Sequence, residues 1–145
     1  MHVLQVEPEI RRDYVADGRV SLAFHPMLDH GESSRLAHRT AECAAQQDPT
    51  AFWTMHDLLF ERQDQIWRAG PELMISWATE LGLNGDALAT CLADPAIADK
   101  IEQLDQARQQ TGIRLRPSFD LNGRLIQGAL PYAQLAAAFD DLLNQ

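Results

Sequence analysis

Apolar residues recur along this chain with two different periods, and the switches between them outline its elements. Val3, Val6, Ile10 and Tyr14 lie at helical spacing, and the stretch stops at Asp17-Gly18, where glycine can adopt the left-handed backbone that ends a helix. No Ser, Thr, Asp or Asn cap precedes this pattern, which is already running at Val3. Pro8 falls inside it, and the missing N–H predicts a kink there. Val20, Leu22 and Phe24 then alternate at period two between Gly18 and Pro26, which predicts a short strand.

From Ser33 to Gln110 the period is helical throughout. Ser33 or Ser34 is placed to cap a helix with Leu36, Thr40, Cys43 and Gln47 on one stripe, and Phe52, Met55, Leu59 and Ile66 mark the next. Gly70-Pro71 opens a third helix, with proline in the first turn where its N–H is not needed, and Gly82 closes it. Asn84 caps a short helix carrying Leu88 and Cys91. Asp94-Pro95 begins another, with Ile97, Ile101 and Leu104 inward and Gly112 as terminator. Two short strands follow, about Ser118–Leu121 and Arg124–Ile126, joined by Asn122-Gly123, a pair suited to the positive φ angles of a two-residue hairpin turn. Pro131 opens a final helix with Leu135, Phe139, Leu142 and Leu143 on one side. Strands separated by a long helical block predict an α/β layer architecture rather than a bundle.

Composition narrows the class further. A chain of 145 residues suits a single domain with its own core, and it shows no repeat, linker or low-complexity tract. No apolar run approaches the roughly 20 residues that span a bilayer, so no membrane partner is expected. The net charge of −9, from 21 acids against 12 basic residues, argues against a nucleic-acid partner. Met1-His2 leads straight into the amphipathic pattern, without the charged and apolar run of a signal peptide, so the chain as written is expected to be cytoplasmic.

Three stretches together resemble the DsbA-like branch of the thioredoxin superfamily. "PEIRRDYVADGRVSLAFHP" is similar to the helix and strand that follow that family's active site, and "AHRTAECAAQQDPTAFWTMHDLLF" to the start of its helical insertion. "GIRLRPSFDLNGRLIQGALP" is similar to its proline loop and hairpin, with Gly112, Pro117, Asn122-Gly123 and Gly128 at the family's spacing. The resemblance implies a thioredoxin-like part, 1–30 and 112–145, around a helical insertion, 31–111. It also implies a cis peptide bond at Pro117, with Arg116 and Pro117 meeting an extended substrate. Protein or peptide thiols are the implied partners, and no cofactor is expected. On its own residues, Pro117 reads as the start of an edge strand, where a missing N–H does no harm.

The family's chemistry needs a Cys-x-x-Cys pair at a helix N-terminus, which favours the thiolate. This chain has no such pair; its two cysteines, Cys43 and Cys91, both lie in the helical block. The resemblance places a strand and the reactive pair before "MHVLQVEPEI". The chain is therefore expected to be truncated at its N-terminus, inactive in dithiol exchange, and exported if its true start lies upstream. The missing strand would sit between Val20–Phe24 and Ser118–Leu121. Since unpaired buried backbone groups cost about 1–3 kcal/mol each, the gap must close, be filled by upstream residues, or be filled by another chain, which would make a homo-oligomer through the open edge. The alternative is a complete, non-catalytic peptide-binding or assembly module.

Cys43 and Cys91 themselves are open to three readings: buried thiols, a structural disulfide, or reactive groups. Similarly placed cysteines in exported relatives imply the disulfide. His25, His30 and His38 lie close in sequence but at no defensible ligand spacing, so no metal site is expected. His56 is expected at a helix surface or boundary, and Trp53, Trp67 and Trp77 in the core.

Overall fold

The computed structural model of the chain describes residues 2–144, which divide into two compact units. One is built from the two ends of the chain, through Phe24 and from Gln110 onward; the other is His25–Gln109.

In the first unit, the missing N–H of Pro8 divides the opening helix into α1 (His2–Gln5) and α2 (Glu7–Ile10). The Val6 and Ile10 amides donate to His2 O and Val6 O at 2.8 and 3.1 Å, so the ladder continues across the break. A π-helical turn, Arg11–Val15, follows, closed by the Ala16 amide on Arg11 O at 2.9 Å, and Gly18 with φ of 78° ends the segment. The π turn sets Asp13 and Tyr14 toward the C-terminal helix α9 (Tyr132–Leu143). There the Tyr14 hydroxyl donates to Asp140 Oδ1 at 3.0 Å, and the Tyr132 hydroxyl donates to Asp13 Oδ2 at 2.5 Å. Hydrogen bonds from Arg12 and then Tyr132 hold the Asp13 carboxyl down to a pKa of about 2.

The hairpin pairs β1 (Ser118–Leu121) with β2 (Arg124–Gln127) in antiparallel register, Ser118 opposite Gln127 and Leu121 opposite Arg124. Asn122 and Gly123 take φ of 52° and 93°, and Asp120 Oδ1 accepts the Gly123 amide at 2.6 Å. Phe119 and Leu121 turn toward a core of Ile10, Tyr14, Leu135 and Phe139.

The strand expected at Val20–Phe24 does not form. Residues 19–28 carry no regular element, and the sheet among the described residues has two strands, β1 and β2. A period-two sequence becomes a strand only beside a ladder partner, and the Val20 amide bonds back to Tyr14 O at 3.0 Å instead.

The second unit is helical: α3 (Glu32–Gln47), α4 (Ala51–Glu61), α5 (Gln63–Ile66), α6 (Pro71–Glu80), α7 (Gly85–Ala93) and α8 (Pro95–Gln110), the last running into Gln110 of the first unit. Met55, Met74, Trp77, Ala78 and Leu88 form the centre of its core. Asn84 caps α7 as its side chain accepts the Ala87 amide at 3.0 Å. Neither Ser33 nor Ser34 caps α3: Gly31, with φ of 61°, holds the cap position, and the Ser34 hydroxyl donates to Gly31 O at 2.9 Å.

Two tethers join α3 to α7. Cys43 and Cys91 form a disulfide with Cα atoms 5.7 Å apart. One turn beyond Cys43, the Gln47 side chain accepts the Asn84 amide at 2.8 Å and donates to Asn84 O at 3.0 Å.

Two expected positions are corrected. His56 is buried, at 3 % exposure, with its ring among Phe52, Trp53 and Phe60. Trp67 is 54 % exposed because α4 breaks at Arg62 and α5 ends just before it, which turns Trp67 off the stripe that buries Ile66; its ring meets His30 edge-on at 5.0 Å.

Candidate functional site

The candidate site is the loop that leads from Gly112 into β1. Gly112, with φ of 74°, turns the backbone out of α8, and the Arg116–Pro117 peptide bond is cis. Side chains and backbone of the hairpin hold the loop from several directions. Gln127 Oε1 accepts the amides of Arg114 and Leu115 at 2.8 and 3.2 Å. The Ser118 hydroxyl donates to Leu115 O at 2.6 Å, and the Gly128 amide donates to Pro117 O at 2.9 Å. The Arg114 and Leu115 amides and the Leu115 and Pro117 carbonyls are thus satisfied from within the hairpin. Arg114, Leu115 and Arg116 remain exposed, and Pro117 is half-buried.

A groove of about 200 Å³ lies in the same unit, between Arg19–Ser21 and Asp120–Asn122 and over Phe139, Leu142 and Leu143 of α9. It borders the edge of β1 that β2 does not pair, so ladder groups and apolar surface occur together there.

The residues singled out in the sequence separate between the units. Arg116 and Pro117 belong to the unit of chain ends; Cys43 and Cys91 belong to the helical unit and are bonded to each other. With both cysteines in that bridge, neither is a free thiol. His25 is exposed, and His30 lies against Trp67. Burial lowers the pKa of His38, against the opposing effect of a hydrogen bond with the Met27 backbone.

Gln127 was not visible from the sequence as a site residue. Its two bonds reach back 13 and 12 positions, and a single glutamine on a hairpin strand carries no local signal for such a contact.

Comparison with known proteins assigns this arrangement. The family model described as Thioredoxin matches residues 2–141. Disulfide bond formation protein D of Bacillus subtilis is 29 % identical over 148 residues, covering 94 % of this chain and 63 % of the relative. The Na(+)/H(+) antiporter NhaA 3 of Salinispora tropica is 33 % identical over 136 residues, covering 92 % of this chain and 20 % of that protein. The chain thus spans less than two thirds of the length of these curated relatives. The crystal structure of oxidised BdbD from Bacillus subtilis superposes with a TM-score of 0.86 and 25 % identity, over 99 % of this chain and 80 % of the other. The chain thus shares its architecture with that structure over nearly its whole length, and it belongs to the DsbA-like branch of the thioredoxin superfamily.

Proposed function

We propose that this chain is the substrate-handling part of a thiol-disulfide oxidoreductase acting on protein thiols. The observation that carries the reading is the match to BdbD over 99 % of the chain, with the Arg116–Pro117 loop held in place by the hairpin. In disulfide exchange a thiolate attacks a disulfide sulfur through a mixed disulfide, and the reacting segment must lie extended and in register. Arg116 and Pro117 serve that alignment in this reading. These 145 residues hold no Cys-x-x-Cys pair, so in this reading the chain binds an extended thiol substrate without turning it over.

Two further assignments belong to the same proposal. The working compartment is oxidising, which the Cys43–Cys91 bridge supports, since such bonds persist outside a reducing cytosol. The groove beside β1 takes an extended strand from a second copy of the chain, which would pair the open edge and cover Leu143, exposed at 44 %.

The experiment has two arms. The chain should reduce insulin no faster than buffer, and a short extended cysteine-bearing peptide should shift the amide resonances of Leu115–Ser118. Clear insulin turnover, or no perturbation at millimolar peptide, would overturn the reading.

A further inference from the structure

Exposed apolar side chains and uncompensated cations meet at the hairpin. Among the described residues the large exposed hydrophobics are Trp67, Leu115, Leu125 and Leu143, and two of these belong to the proline loop and β2. The chain is strongly acidic, yet 112–128 holds three arginines, Arg114, Arg116 and Arg124, against a single acid, Asp120. Arg114 and Arg124 are exposed and form no ion pair among the described residues, whereas Arg35, Arg62 and Arg108 are held by Glu102, Glu80 and Asp105.

The strand geometry orders these groups. Among the described residues β2 pairs with β1 alone, so its other edge offers N–H and C=O groups in ladder order. Successive residues of β2 alternate between faces: Leu125 and Gln127 project on one, Arg124 and Ile126 on the other. Gln127 Oε1 accepts the Arg114 and Leu115 amides, which ties that exposed segment to the Gln127 end of β2.

We propose that the outer edge of β2 docks an extended peptide in which apolar and acidic residues alternate. Added as a third strand, such a peptide sets its apolar side chains on the face of Leu125 and its carboxylates on the face of Arg124, and the exposed Arg114 adds positive charge at the Gln127 end of the strand. The period of two in the peptide matches the period of two in the strand, and its charge is opposite to that of the segment. Asp120, opposite Leu125, is the one acid of 112–128, and its Oδ1 accepts the Gly123 amide. The inference rests on the peptide-handling reading above but concerns a different edge from the proline loop.

The test uses three fluorescein-labelled peptides alternating leucine with Glu, Gln or Lys, followed by anisotropy. At low salt the Glu peptide should bind roughly five- to tenfold more tightly than the Lys peptide, as expected for two rim charges, and the margin should shrink at physiological salt. The R114E/R124E variant, altered only at exposed positions and checked for an unchanged melting temperature, should invert the preference. The bound Glu peptide should shift the amides of Arg124–Gln127. Equal affinities for the three peptides, or shifts confined to other residues, overturn the inference. If the cysteine-bearing peptide still perturbs Leu115–Ser118 in that case, the oxidoreductase reading stands without it.

Discussion

Reducing the Cys43–Cys91 bond should cost the helical unit a large part of its stability. The bridge joins residues 48 positions apart, and in the chain-entropy treatment a loop of that length removes enough unfolded-state freedom to contribute about 4 kcal/mol. For a chain of this size that free energy corresponds to a melting temperature lower by roughly 10–20 °C. The assay is thermal unfolding followed by far-UV circular dichroism, with and without a phosphine reductant. The reduced wild-type chain is the cleaner comparison, because Cys43 is buried and a Cys43→Ala/Cys91→Ala variant also loses packed sulfur atoms. Urea titrations add a second readout: the reduced form should show a steeper dependence on denaturant, since its unfolded state exposes more surface. If the oxidised and reduced forms melt within about 3 °C of each other, loop closure is not what the bridge contributes, and the reasoning fails.

Burial lowers the pKa of His38, with the charge of His56 acting in the same direction and the Met27 backbone, Asp105 and Asp29 opposing. A group whose folded pKa lies below its unfolded value supports the fold fully above the unfolded pKa, about 6.5 for histidine, and loses that support as the pH falls below it. The urea midpoint should therefore fall between about pH 7.5 and pH 5, and His38→Gln should flatten that dependence; equal slopes in the two proteins would sink the assignment. Self-association through the β1 groove should give a dimer mass by light scattering at tens of micromolar, and Leu143→Glu should return a monomer. A wild-type mass that stays monomeric across that range would remove the dimer.

What could be read from the sequence follows from how local each signal is. Asn122-Gly123 specifies its turn through the φ angles those two residues tolerate, and Asn84 and Pro71 mark helix starts through groups within one turn. The family was legible for a related reason: a proline, a turn and two glycines at fixed spacing in 112–128 form one continuous stretch. Val20–Phe24 is the opposite case. Its alternation is real, but strand formation depends on a neighbour that no local pattern guarantees, and here the backbone stays irregular. His56 misled because histidine is usually placed at boundaries, while Phe52, Trp53 and Phe60 surround this ring with apolar surface. In the candidate site Pro117 stood out as a residue type, whereas the role of Gln127 depends on amides more than ten positions away.

The pairing of Gln47 with Asn84 bears on how the helical unit recovers from a reducing episode. Those two hydrogen bonds need no sulfur, and they lie one helical turn from Cys43. Once the covalent link is cut, they keep α7 aligned on α3, so each thiol meets its former mate far more often than it meets a stranger in solution. Reoxidation is then a neighbourly event governed by geometry rather than by protein concentration, and a mispaired product has little chance to form.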